Sequence, residues 1–162
     1  MASLRIGTCS FTAEGWERSF YPEGLKKSDY LSYYAEHFDT LEVDSTFYRI
    51  PAHSTVRKWH DQVPADFRFA CKMTQVVTHE KCMQDCESDV QAFVEAMDRL
   101  GDKLGAILLQ FPYFNKKAFK SGDEFLLKLE QFLKSLPDDG ENAEWTSIEA
   151  LAADDSGKKS SH

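Results

Sequence analysis

Apolar, β-prone runs recur along the chain at residues 4–9, 40–44, 67–72 and 104–110. Their starts lie too far apart for hairpins and suit repeated βα units. The stretches between them carry helical periodicity. Leu31, Tyr34, Ala35 and Phe38 follow the i, i+3, i+4, i+7 spacing, and Ser28 is the expected N-cap. Val56, Trp59 and Val63 form a shorter stripe behind Ser54, which Pro64 stops. Val90, Phe93, Val94 and Met97 repeat the full pattern, with Gly101 placed to end the helix. Ser121 and Glu124 read as a capping box ahead of Phe125, Leu129, Phe132 and Leu136, and Pro137 closes that helix. Strand and helix thus alternate four times, which predicts an α/β fold with a parallel sheet and right-handed crossovers. After Pro137 the rhythm stops. Asp138, Asp139, Gly140 and Asn142 read as a turn, Trp145, Ile148 and Leu151 suit one short helix, and a polar tail follows. The expected division is an α/β unit over residues 1–137 and a short helix with a disordered tail over 138–162.

Alternation within a strand assigns each side chain to a face. Leu41 and Val43 should face the helices, leaving Glu42 and Asp44 opposite. Phe67, Phe69 and Cys71 take the helix side, leaving Arg68, Ala70 and Lys72. In the first strand Leu4 and Ile6 are expected toward the helices, and in the fourth Gln110 shares a face with Ala106 and Leu108. One face thereby collects Arg5, Glu42, Asp44, Arg68, Lys72 and Gln110. A parallel sheet covered on both sides reads as nearly continuous apolar runs, so charges on such a face should be paired or open to a ligand. Asp44, Lys72 and Gln110 end their strands, where barrel and open α/β enzymes place their sites. Arg5 and Arg68 start theirs, which favours a structural role. Lys72 is expected within ion-pair distance of Glu42 or Asp44.

Composition narrows the class. The 162 residues carry a net charge of −8, with 42% hydrophobic, 28% charged and 13% aromatic positions. That content can build one core, and the acidic balance argues against a duplex-DNA partner. No apolar run approaches the roughly 18 residues of a membrane span, and residues 1–6 hold no signal-like apolar block. With Cys9, Cys71, Cys82 and Cys86 read as free thiols, the expected location is the reducing cytoplasm. His79, Cys82 and Cys86 would share one face of a helix, but a structural zinc site needs four ligands and no fourth is evident. They are read as helix-surface thiols, and no metal is assigned.

The assembled residues resemble the YecE-like family, domain of unknown function 72. The matching stretches are Ile6-Gly7-Thr8-Cys9-Ser10-Phe11, Trp16-Glu17-Arg18-Ser19-Phe20-Tyr21-Pro22 and the run from Tyr33 through Leu41-Glu42-Val43-Asp44-Ser45-Thr46-Phe47-Tyr48. Phe67-Arg68-Phe69-Ala70-Cys71-Lys72, Thr78-His79 and Leu109-Gln110-Phe111-Pro112 follow in the family's order. The resemblance implies a TIM-type (β/α) barrel. A full barrel takes about 250 residues and eight βα units, so four units predict a truncated half barrel. Two departures stand out: no fifth strand is recognisable after Pro137, and Cys9 occupies a position where a small residue such as serine is usual.

The resulting expectation is acid/base or hydrolytic chemistry on a small polar substrate in the full-length form. Glu42 and Asp44 would act as carboxylate bases or metal ligands, Lys72 as electrostatic stabiliser or nucleophile, and His79 as proton shuttle. Thr8, Tyr48 and Gln110 are the expected ligand-binding residues. Trp16, Phe20, Tyr21, Phe47, Tyr48 and Phe114 could line a stacking pocket for a ring-bearing ligand or simply cover the strand ends. No glycine spacing supports nucleotide binding, so no cofactor is assigned. The other class of reading is a non-catalytic binding or assembly protein, or an inactive truncated relative. Open strand edges would favour self-association.

Overall fold

The computed structural model describes residues 4–112 and 119–136. Three strands form one parallel sheet in the order β1-β2-β3: β1 is Thr40–Val43, β2 Arg68–Lys72 and β3 Leu104–Leu108. The helices are α1 Tyr30–Tyr34, α2 Ser45–Tyr48, α3 His53–Asp61, α4 Glu87–Met97 and α5 Gly122–Ser135. Each strand is followed by helix, as the alternation required. The segment expected after Pro137, and Phe114, lie outside the described residues.

Parity holds in β1 and β2, while burial in β3 does not alternate. Leu41, Val43, Phe69 and Cys71 are buried, while Thr40, Glu42, Arg68, Ala70 and Lys72 are only partly covered. The buried set packs with Tyr34, Val56, Phe93, Met97 and Leu100 in one core on the helix side. The opposite face is polar and open among the described residues, which is why charged side chains can sit there.

The first expected strand is a correction. Residues 4–9 run beside β1 without joining its ladder, and Leu4 and Ile6 are 85% and 62% exposed rather than facing the helices. Their backbone groups are taken by side chains. The Ile6 amide donates to Asp39 Oδ1 at 3.0 Å and the Thr8 amide to Tyr34 Oη at 2.8 Å. Only Thr8 O receives a backbone donor from β1, the Glu42 amide at 3.0 Å. Among the described residues the apolar pair stays exposed.

Local chemistry explains most element ends. Ser121 caps α5 by accepting from the Glu124 amide at 3.2 Å, and the Glu124 carboxylate returns to the Lys120 amide at 2.7 Å. The capping box is thus present with its return bond shifted by one residue. Ser28 does not cap α1. A 3-10 turn, Lys27–Asp29, precedes that helix and the Ser28 hydroxyl donates to the Asp29 carboxylate. Gly101, at φ 51°, breaks the helical path after α4 before β3 begins. The strand β3 is shorter than expected, because Leu109 and Gln110 lie past its end. Its pairing also skips Gly105: Phe69 meets Leu104 but Ala70 meets Ala106. A side chain at Gly105 would press on Arg68 Cβ at 3.0 Å, so the bulge takes a glycine.

Candidate functional site

The carboxyl ends of β1 and β2 bring two predicted residues together. Asp44 directly follows β1 and starts α2, while Lys72 is the last residue of β2. Lys72 Nζ donates to Asp44 Oδ1 at 2.7 Å, with side chains 13% and 38% exposed. The same ammonium lies 4.9 Å from the centre of the Phe47 ring on α2. Phe47 in turn meets the His79 ring edge-to-face at 4.9 Å and the Tyr48 ring at 5.1 Å. Asp44, Phe47, Tyr48, Lys72 and His79 therefore form one connected cluster.

Thr46 fixes this corner. Its buried hydroxyl lies 2.8 Å from Val43 O and 2.7 Å from Lys72 O, bridging the ends of the two strands. Sequence reasoning missed it, since a threonine in a short polar run carries no signal of its own. His79 is held differently from the expected plain loop. It belongs to a single π-helical turn, Val76–Glu80, and residues 82, 83 and 85 then take left-handed backbone angles before α4. Lys81 braces that turn through Asp85 O at 2.9 Å and Asp89 Oδ2 at 2.6 Å. π turns and strained residues recur at functional sites.

Thr78 positions the His79 ring. Thr78 Oγ1 donates to Thr74 O at 3.3 Å and lies 2.8 Å from His79 Nδ1. When the Thr78 hydroxyl gives its proton to Thr74 O it can accept from His79 Nδ1–H, the tautomer that leaves the Nε2 lone pair open. Burial, and then the neighbouring Lys72 charge, hold the imidazole below its usual pKa. The ring is accordingly neutral at pH 7 and able to accept a proton.

Other predicted residues stand apart. Glu42 shares the open face, but its side chain makes no hydrogen bond or ion pair among the described residues. Gln110 is exposed beyond β3 and likewise has no side-chain partner among them. The Thr8 hydroxyl lies between Ser10 O at 2.5 Å and Tyr34 Oη at 3.0 Å, which ties residues 4–9 to α1. Arg5 and Arg68 sit at the amino ends of the strands. Arg5 bonds Asp66 O at 2.7 Å, and Arg68 bonds Ala65 O and Phe67 O, both at 2.9 Å. Trp16, Phe20 and Tyr21 pack on one another and on α1, Phe20 against Tyr33 and Tyr21 stacked on Tyr30 at 3.9 Å. Tyr21 is buried, and Trp16 and Phe20 are partly buried against the core. Two concavities of about 480 Å³ lie elsewhere, one between α1 and α3 and one between α4 and α5. Neither touches the charged cluster, which is an open surface among the described residues. The cluster is the candidate site because neither concavity combines an ion pair with an imidazole held neutral.

The expected shared helix face of His79, Cys82 and Cys86 is a correction. Residues 79–86 are not one helix, and the described residues hold no group of three or more histidine, cysteine or acidic side chains able to bind a metal. Cys86 is buried rather than on a helix surface, and burial first, then Glu87 and Asp89, push its thiol up. Burial also pushes Cys71 up to about 12, so it stays a protonated thiol.

The family model described as "Protein of unknown function DUF72" matches residues 5–149. The chain belongs to the DUF72 family. Among DUF72 relatives, the UPF0759 protein YecE of Escherichia coli is 33% identical over 107 residues, 66% of this chain and 37% of that protein. The UPF0759 protein YunF of Bacillus subtilis is 30% identical over 106 residues, 60% of this chain and 38% of that one. The crystal structure of a DUF72 family protein from Thermotoga maritima aligns with a TM-score of 0.61 at 31% identity, covering 79% of this chain and 51% of that chain. The chain thus spans under two fifths of the length of these two UPF0759 relatives and about half of the solved DUF72 structure. No described helix is long and apolar enough to cross a membrane.

Proposed function

We propose that this chain carries part of a (β/α) barrel whose strand-end cluster performs acid/base chemistry on a small polar substrate. The observation that carries the reading is the Asp44–Lys72 ion pair at 2.7 Å beside a neutral His79, at the carboxyl ends of neighbouring parallel strands. Parallel strands each followed by helix, and the likeness to the Thermotoga maritima structure, support the barrel. His79 Nε2 is the proton acceptor. Lys72, oriented by Asp44, supplies a fixed positive charge toward negative charge developing on the substrate. Glu42 is a second carboxylate on the same face. Thr8, Tyr48 and Gln110 belong to the proposal as ligand contacts, Tyr48 being the one inside the cluster. Self-association along the outer side of β3, where Gly105 and Ala106 are exposed, is part of the same proposal. Sedimentation at micromolar concentration checks it, and a compact monomer would remove it.

The site reading is tested by following the His79 ring protons with pH in NMR. The midpoint is expected below the ordinary value of about 6.5. Lys72→Met should raise it part of the way back, because burial makes the larger contribution. An ordinary midpoint, or one that ignores Lys72→Met, would sink the reading. Linkage gives the stability sign. A histidine with a lowered folded pKa contributes stability that is whole above the unfolded value and lost as pH falls through the folded one. The unfolding midpoint of the wild type should therefore drop on acidification below about pH 6.5 by more than that of His79→Gln.

A further inference from the structure

We infer that the ligand of this site is a small neutral cyclic polyol or sugar bearing adjacent hydroxyl groups. The inference rests on reading the Asp44, Lys72 and His79 cluster as the site, and it names the ligand class. Charge is the first argument. Asp44 and Lys72 neutralise each other at 2.7 Å, His79 is held neutral, and Glu42 adds a carboxylate to the same face. An anion approaching Lys72 would meet Asp44 at contact, and a cation approaching Asp44 would meet Lys72. A hydroxyl group meets neither objection, since it can donate to a carboxylate and accept from an ammonium without breaking the pair.

Unused hydrogen-bonding capacity is the second argument. Asp44 Oδ1 receives Lys72, whereas Oδ2 has no partner among the described residues. Of the three Lys72 protons one goes to Asp44 and the ammonium also lies over Phe47, which leaves a donor toward the open face. A free acceptor and a free donor on two groups a hydrogen-bond length apart match neighbouring hydroxyls, one donating to Asp44 and one accepting from Lys72.

Tyr48 supplies the third. It is 67% exposed and meets Phe47, the ring under Lys72, at 5.1 Å, so an aromatic ring is available beside the ion pair. A ring sugar or cyclitol has an apolar C–H face and a hydroxyl rim, so it can lay the face on Tyr48 while the rim reaches the ion pair. An open surface of this kind should bind weakly, in the millimolar range.

Saturation-transfer NMR with myo-inositol as probe tests this on the full chain. Saturable binding is expected, with trans-1,2-cyclohexanediol competing better than its 1,3 isomer and inorganic phosphate not competing. Tyr48→Ala lies on the surface, and it and Asp44→Ala should each weaken binding about tenfold, as for one lost contact. Phosphate displacing inositol, equal competition by the two diols, or unchanged affinity in Tyr48→Ala would overturn the inference. Absence of inositol binding by a protein whose His79 titration is still low and Lys72-dependent would overturn the ligand class alone.

Discussion

Phe69→Ala is expected to cost about 3–5 kcal/mol of stability. Phe69 is fully buried in β2, its ring 5.0 Å from Phe67, and it pairs in register with Leu41 and Leu104. Removing the ring takes away its burial and leaves a cavity, because two strands and the helical layer cannot all close on it at once. Set against a typical total of about 5–15 kcal/mol, this is a large fraction. The strand that carries Phe69 also carries Lys72, so the effect should reach the site. The His79 midpoint should move toward its ordinary value as the Lys72–Asp44 geometry loosens. Urea unfolding measures the first effect and NMR the second. A loss below about 1 kcal/mol would show that β2 is not the centre of the core.

That dependence shows why some of the site was legible in the sequence. The strict alternation in Leu41-Glu42-Val43 and Phe69-Ala70-Cys71-Lys72 fixes which side chains face the helices, and the structure keeps both assignments. Once two parallel strands are adjacent, Asp44 and Lys72 must approach, and they do. Alternation says nothing about partners outside the ladder. Leu4 and Ile6 look as β-prone as Leu41 and Val43, yet Asp39 and Tyr34 capture the neighbouring amides and leave the apolar pair in water. The bulge at Gly105 is equally invisible, since one unpaired residue leaves a short apolar run unchanged. Spacing also misled at His79, Cys82 and Cys86. Their helical interval is interrupted by left-handed backbone at Cys82, Met83 and Asp85, which non-glycine residues seldom adopt. For Trp16, Phe20 and Tyr21, position in a loop left a ligand pocket and a covering role both open, and Phe20 and Tyr21 pack on α1.

Gly7→Ala is expected to detach residues 4–9 from β1 and cost about 2–4 kcal/mol. A Cβ on Gly7 would fall 2.0 Å from Thr40 O and 2.7 Å from Thr40 C, both backbone atoms that no rotamer change can move. Relief requires the segment to lift. Lifting breaks Glu42 N to Thr8 O at 3.0 Å, Ile6 N to Asp39 at 3.0 Å, Thr8 N to Tyr34 at 2.8 Å and Arg5 to Asp66 O at 2.7 Å. Each is worth about 1 kcal/mol net, less where water replaces the lost partner, which sets the range. Because Leu4 and Ile6 are already exposed, detachment loses little apolar burial, and the rest of the fold should persist. The Glu42 amide reports the event directly. Its hydrogen exchange should accelerate strongly in Gly7→Ala, while the amide of Cys71, inside β2, stays protected. Slow exchange at Glu42 with an unchanged unfolding midpoint would mean that the segment can shift along β1 without losing its hold, and that close approach at Gly7 is not what seats it.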